Sequence, residues 1–413
     1  MIDQKFLINI EEELKNLKKD GLYKGEYQIT TSQDVEVDII DNDGNKKQVI
    51  NLCANNYLGL ANDKNFCQIA KKAIDDYGFG TASVRFICGT MDVHKEFEQE
   101  LAEFLGYEDV ITFASCFGAN GAVFASLFDQ EDAIISADLN HASLIDGIRL
   151  CKAKRFFYKF DDMNDLDSKL KDAVASGAKN RVIVTDGVFS MDGDIAPLEK
   201  ICDLAEKYNC LVLVDDCHAT GFIGKNGRGT IEATGVFDRV DILTTTLGKS
   251  IGGSGGGIIA SKAAIIDKLR NKARPYLFSN NISPTVAKVS LEIIREIKNS
   301  QEKIEILAQN TKYFREEMEK AGLEVRPGYH PIVPIMFYDE KLNAAIAKDL
   351  IEEENIYVIP FSFPVVPKGE ARIRVQLSSS HSKDHLDKAI AAFAKIAKKH
   401  GALNVNLKER IEG

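Results

Sequence analysis

No uninterrupted apolar run in this 413-residue chain approaches the roughly 20 residues that a membrane-spanning helix needs. The opening residues, Met1 to Glu11, have neither a basic stretch nor a long apolar core, so no export signal is expected and a cytoplasmic location is. A basic excess is missing too: 52 Lys and Arg stand against 62 Asp and Glu, for a formal net charge of −10. That balance leaves no electrostatic footprint for nucleic acid or an anionic membrane and points to small-molecule substrates. The eight cysteines include no C-x-x-C pair, which argues against a zinc knuckle or redox motif and for free thiols. His381 and His385 have helical i, i+4 spacing but lack the Glu of the zinc-protease arrangement; they read as a solvated helix face, and no metal is assigned. Neither an internal repeat nor a low-complexity tract is present.

What is there is an ordinary globular composition, 45% hydrophobic and 28% charged, long enough for a large core and more than one lobe. Residues 4 to 20 read as a charged amphipathic helix, followed by a hairpin turning at Asp43-Gly44, and together they form a peripheral arm over residues 1–52. Strand-like runs then recur at residues 110–113, 133–136, 155–158, 182–185, 211–214, 242–245 and 257–260, mostly at intervals that can hold a helix. Such alternation predicts an α/β fold with a large, mostly parallel seven-stranded sheet over residues 53–285 and the active site at its strand ends. From residue 286, long helical patterns before a β-rich section ending near Leu377 predict a smaller C-terminal α+β domain, 286–413.

Chemistry concentrates at two of these strand ends. Lys249 follows the 242–245 run and is flanked by Thr244-Thr245-Thr246, Ser250 and the glycines 248, 252 and 253, while Asp215-Asp216-Cys217-His218 closes the run 211–214. A carboxylate at a buried strand end can keep the pyridine nitrogen of pyridoxal 5′-phosphate (PLP) protonated, and a lysine can hold the cofactor as a Schiff base. Such a lysine must be desolvated or set beside positive charge before it works as a base. Strand alternation lets only one of the two aspartates share the site, and the Asp-x-x-His spacing selects Asp215 with His218. Two rival motifs fail on context. A P-loop ending in Gly248-Lys249-Ser250 would need glycine where Leu243 stands, and Gly252-Gly253-Ser254-Gly255-Gly256 lacks the strand before and helix after that a nucleophile elbow requires.

Two further segments fall where a cofactor needs them. Ser115-Cys116-Phe117-Gly118-Ala119-Asn120-Gly121 follows a strand and opens a helix, so its amides could hold a phosphate; it could also be a simple turn. His141 could stack on a ring or merely cap the following helix.

From about residue 50 to 400 the chain resembles the α-oxoamine synthases, PLP-dependent transferases of fold type I, and within them the glycine-acetylating subgroup. The likeness rests on Cys53-Ala54-Asn55-Asn56-Tyr57-Leu58-Gly59-Leu60, Ala82-Ser83-Val84-Arg85-Phe86-Ile87-Cys88-Gly89-Thr90, Asp186 to Gly193, Arg274 to Asn280 and Pro364 to Gly369. The resemblance implies that Lys249 carries the cofactor, Asp215 pairs with the ring nitrogen, His218 bonds the ring hydroxyl and His141 stacks on the ring. It assigns the phosphate to the Cys116 and Phe117 amides and the Thr246 hydroxyl, and a further cofactor contact to Ser190. Ser279 and Asn280 would reach into the other subunit's site, which implies a homodimer. Asn55 and His141 would contact substrate, and Arg374 would clamp the amino-acid carboxylate in a bidentate pair; Arg372 is expected on the opposite strand face. The implied reaction joins glycine and acetyl-CoA to 2-amino-3-oxobutanoate and CoA, and in reverse would complete threonine breakdown after a threonine dehydrogenase. Sister synthases making 8-amino-7-oxononanoate, 5-aminolevulinate or sphingoid bases share the lysine chemistry and remain alternatives. Cys217 stands where the family commonly has serine or alanine, a small-for-small change read as packing.

Overall fold

Strands that read as unbroken apolar runs are buried along both faces, as expected when helices cover a parallel sheet on each side. In the computed structural model, which describes residues 4–19, 23, 25–41, 44–405 and 407–412, all seven expected strands occur. They lie in the order Asp109–Phe113, Gly257–Ser261, Ile242–Thr246, Leu211–Asp215, Arg181–Asp186, Ala133–Ala137, Lys154–Tyr158. Only Gly257–Ser261 runs against its neighbours. Alternation along the strands sorts their side chains into two cores. Ile135, Ile183, Val212, Val214 and Leu243 pack on one face with helices Asp92–Leu105, Met163–Ala175 and Leu198–Tyr208. Ile134, Val182, Val184, Leu213 and Ile242 pack on the other with helices Cys116–Leu127, Ala142–Leu150 and Ala263–Lys272.

The parallel register sets the site. Asp186 lies opposite Asp215, and Asp215 opposite Thr244, so three neighbouring strands end together. Gly257 brings the reversed strand hard against the start of helix Cys116–Leu127: a Cβ there would lie 2.3 Å from the Ser115 carbonyl and 2.4 Å from the Cys116 nitrogen.

The N-terminal helix, Gln4–Lys19, buries no residue. Strands Gln28–Ile29, Glu36–Ile40 and Lys46–Asn51 form a meander, and Ile356–Tyr357 adds to it in parallel beside Lys46–Asn51. Asp43, half of the expected hairpin turn, lies outside the described residues; Gly44 has φ 84°. Beyond helix Pro284–Asn299, which packs on helices Lys64–Tyr77 and Asp92–Leu105, helices and strands intermix rather than segregate. Strand Ile332–Tyr338 precedes helix Glu340–Glu353, and helix Lys383–Lys399 follows strand Ala371–Gln376. Strands Ile332–Tyr338, Ala371–Gln376 and Pro360–Phe361 form a small antiparallel sheet. No helix among the described residues is long and apolar enough to cross a membrane.

His381 corrects an expectation. It precedes helix Lys383–Lys399, is 4% exposed, and bonds the Asn51 carbonyl through Nε2 while Nδ1 accepts from the Ser378 amide. His385 sits in the first turn as half of a capping box with Ser382. The pair secures a helix start and a chain crossing; it is not a solvated face.

Candidate active site

A cleft of about 200 Å³ opens at the sheet's strand ends, lined by Cys116, Phe117, His141, Ser143, Asp186, Val188, Ser190, Asp215, Cys217, His218, Thr246 and Lys249. Eight expected site residues therefore meet in one place, drawn from segments up to 133 positions apart. Asn55, Arg374, Ser279 and Asn280 lie outside its lining.

Asp215, 4% exposed, is held on both oxygens: Asn120 Nδ2 donates to Oδ2 at 2.7 Å and the Cys217 amide donates to Oδ1 at 3.0 Å. Asp216 turns to the other side, where the Thr230 amide and hydroxyl bond it, and burial pushes its carboxyl up to about 7. Asp215 lines the cleft and Asp216 does not, the placement expected from strand alternation. Beside Asp215, Asp186 accepts from the His141 amide at 2.7 Å; burial and the Asp215 charge push it well above the usual carboxylate range.

Hydrogen-bond bookkeeping assigns the histidine tautomers. Gln376 Nε2 donates to the Cys53 carbonyl at 2.7 Å, so its Oε1 faces Tyr57 Oη at 2.8 Å and can only accept. The single Tyr57 proton is thereby committed to Gln376, and the phenol must accept from His218 Nδ1–H, 2.8 Å away. Burial holds the His218 ring well below the ordinary imidazole range, with the Lys249 and Arg374 charges acting in the same sense. A neutral ring with its proton on Nδ1 leaves Nε2 as an acceptor. His141 is the mirror case. Asn120 Nδ2, oriented by Asp215, also donates to Ser143 Oγ at 2.9 Å, so the Ser143 hydroxyl donates to His141 Nδ1 at 2.7 Å. His141 also caps helix Ala142–Leu150 through the Ser143 amide, so lining the cleft and capping are both true of it.

Across the cleft, Ser115 caps helix Cys116–Leu127 by accepting from the Gly118 amide at 3.1 Å, and the first-turn amides of Cys116 and Phe117 have no acceptor within the helix. Thr246 Oγ accepts from the Gly248 amide and donates to the Gly256 carbonyl, each at 3.0 Å, so it reaches an anion only by exchanging that second bond.

Arg374 donates to the Ser190 carbonyl at 2.7 Å, lies over the Phe361 ring, and keeps a buried Nε without a partner. Arg372, 1% exposed, bonds Asp192 and the Glu370 carbonyl. Both arginines thus reach the Ser190–Asp192 segment from one side of their strand, which corrects the expectation of opposite faces. Residues two apart share a face, and Ile373 between them is the one that points away. Asn55 carries a buried, unpartnered Oδ1. Ser279 is exposed, its hydroxyl donating to the Asn280 carbonyl.

The matched family is Aminotransferase class I and II, over residues 47–393. The chain belongs to that family. It is 48% identical over 398 residues to the 2-amino-3-ketobutyrate coenzyme A ligase of Escherichia coli, covering 96% of this chain and 99% of that protein. It is 46% identical to the 8-amino-7-oxononanoate synthase of Fervidobacterium nodosum, covering 94% and 98%. Among solved structures, Sphingomonas wittichii serine palmitoyltransferase superposes with a TM-score of 0.89 at 29% identity, covering 97% of this chain and 99% of that one. The cleft lies where neighbouring strands of the sheet end together, and its residues fit PLP. They offer a lysine, a doubly supported carboxylate and a helix start whose first amides have no acceptor within the helix.

Asn120, Ser143, Asp186, Tyr57, Gln376 and Cys217 were not picked out as site residues from the sequence. Asn120, Asp186, Tyr57 and Cys217 fall inside motifs already singled out and Ser143 lies two residues past His141, so their segments carried a signal although their partners did not. Gln376 had none, because its role exists only through Tyr57 and Cys53, some 320 residues away.

Proposed function

We propose that this chain is a PLP-dependent glycine C-acetyltransferase, joining glycine and acetyl-CoA reversibly to 2-amino-3-oxobutanoate and CoA. The observation that carries the reading is the convergence of Lys249, Asp215, His218 and His141 on one cleft in a chain 48% identical to the Escherichia coli ligase. Bound PLP supplies an aldehyde carbon and a protonated ring that draws electron density from the amino-acid Cα. Lys249 would hold the cofactor through Nζ, and as a free amine it would take the Cα proton of glycine. Asp215, already steered by Asn120 and the Cys217 amide, keeps the ring nitrogen protonated. His218 accepts from the ring hydroxyl through Nε2, since its Nδ1 proton is committed to Tyr57. His141 would pack against the ring, and the Cys116 and Phe117 amides with Thr246 and Ser190 would secure the rest of the cofactor. Arg374, anchored on Ser190, offers its unpartnered edge to the glycine carboxylate, and Asn55 offers its free oxygen to substrate.

The reading includes a homodimer in which Ser279 and Asn280 complete the other subunit's cleft. Support comes from exposed Phe86, Ile87, Phe117 and Phe278, carried on or beside segment Arg274–Leu277 and the two segments that touch it, Arg85–Gly89 and Cys116–Leu127. In the cleavage direction the oxoacid would come from a threonine dehydrogenase. The 46% identity to an 8-amino-7-oxononanoate synthase keeps that acyl transfer as the second reading.

The test is absorbance of the purified protein alone, with glycine, and with glycine plus acetyl-CoA, alongside thiol release. A visible cofactor band that responds to glycine, with CoA freed only when both substrates are present and lost in Lys249→Ala, is expected. A band without acetyl-CoA turnover moves the function to a sister reaction, starting with pimeloyl thioesters. No band after reconstitution with PLP refutes the reading.

A further inference from the structure

Cys116 and Cys217 are 101 residues apart in sequence, yet their sulfurs lie 3.3 Å apart. Both are free and half-buried, and both line the cleft. Among the described residues this is the one cysteine pair whose sulfurs meet. We propose that Cys116 and Cys217 form a modification site, a reversible intramolecular disulfide that closes across the cofactor cleft.

The geometry requires little change. A disulfide has an S–S bond of about 2.05 Å, so the two sulfurs must approach by about 1.3 Å, within reach of small side-chain rotations. Each sulfur sits on a different wall: Cys116 opens helix Cys116–Leu127, and Cys217 follows the strand end at Asp215. The hydrogen bond between them runs from the Cys217 thiol to the Cys116 sulfur, so Cys116 is the sulfur better prepared to ionise. The hydrogen bond from Cys217 lowers the Cys116 thiol, but burial and the Asp215 carboxylate, to which Cys116 Sγ also donates at 3.9 Å, push both thiols up, Cys217 the further, and the Lys249 charge works against that rise. The oxidant is a hydroperoxide. Cys116 attacks its terminal oxygen to give a sulfenic acid, releasing water in the case of hydrogen peroxide. Cys217 sulfur then attacks the Cys116 sulfur, and the sulfenic oxygen leaves with the remaining thiol proton as a second water. Two thiols and one peroxide thus become one disulfide and two waters. Since both sulfurs are held as thiols, the bridge forms slowly near neutrality and faster as pH rises.

The functional consequence rests on the cofactor reading above. The bridge would tie the helix start whose amides hold phosphate to the segment that carries Asp215 and His218, narrowing the space between them. Cofactor and disulfide are then mutually exclusive: each disfavours the other by linkage.

The experiment uses the full chain, with and without saturating PLP, treated with hydrogen peroxide in the presence of a chelator, then digested without reduction and analysed by mass spectrometry. The expected result is a linked peptide pair containing Cys116 and Cys217, two hydrogens lighter than the reduced pair. It should be reversed by dithiothreitol, absent in Cys217→Ser and Cys217→Ala, and formed at least tenfold more slowly with PLP present. Oxidised apoprotein should take up little PLP until it is reduced. If peroxide leaves both cysteines open to alkylation, or converts one to sulfinic acid without a linked peptide, the disulfide site is overturned. A bridge that forms equally fast with and without PLP supports the dithiol site and overturns the placement of the cofactor between its walls.

Discussion

Replacing Tyr57 by Phe tests the hydrogen-bond chain behind His218 more sharply than any change in the cleft itself. The tyrosine is fully buried, and its ring stacks on Phe222 with centroids 4.4 Å apart, a contact that Phe keeps. The substitution removes one oxygen and leaves two buried partners without their bond, His218 Nδ1–H and Gln376 Oε1, each 2.8 Å from it. An orphaned buried polar group costs about 1–3 kcal/mol, so a loss of about 2–4 kcal/mol is expected after some relaxation. Urea unfolding of the apoprotein measures it as a lower midpoint at unchanged slope. Nitrogen-15 spectra of histidine-labelled protein supply the second readout: His218 should carry its proton on Nδ1 in the natural chain and lose that fixed preference in the variant. A double-mutant cycle with Gln376→Met should be non-additive by about 1 kcal/mol or more, since both changes break one network. A stability loss under about 0.5 kcal/mol with an Nε2-protonated His218 in the natural chain would refute the tautomer assignment and the acceptor role built on it.

Acid should expose the buried histidines. Burial lowers His381 to about 4, against about 6.5 when unfolded, so between those values the unfolded chain binds the proton and stability falls as pH drops. Asp216, raised to about 7, acts in the opposite sense. The histidine contribution is therefore read as a difference: from pH 7.5 to pH 5 the natural chain should lose about 2 kcal/mol more than His381→Gln, and equal slopes would contradict it. Arg374→Lys should raise the KM for glycine about 10- to 100-fold, the loss of about 1.5–3 kcal/mol of charge-assisted bonding, with the KM for acetyl-CoA little changed in steady-state kinetics. Asp192→Ala leaves Arg372, 1% exposed, with only Glu370, and should cost about 3 kcal/mol in a thermal melt.

The legible part of this molecule lies where local pattern and tertiary role coincide. A strand buried on both faces must be apolar at every position, so Ala133–Ala137 and Leu211–Asp215 announced themselves, and the polar residues terminating such runs marked the site: Asp215, His218, and Lys249 beyond Thr246. The helix start at Ser115 was legible for a related reason, because a capping residue after a strand has a local signature. The C-terminal region was read less well. Ile332–Tyr338 is flanked by helices, and its strand partner Ala371–Gln376 lies beyond one of them, a pairing that no local window contains.

By itself the sequence determined the α/β alternation, the seven strands of the main sheet, which of two adjacent aspartates faces the site, and the family to which the chain belongs. Those features follow from periodicities of a few residues and from motifs contiguous along the chain. Tertiary structure alone decided that Ile356–Tyr357 joins the N-terminal meander, that Arg372 and Arg374 grip the same loop, which nitrogen of His218 and His141 carries the proton, and that Cys116 meets Cys217. Each depends on atoms brought within hydrogen-bonding or van der Waals distance across tens to hundreds of residues. Such contacts leave no periodicity in a single sequence, because only folding sets the distance between their partners.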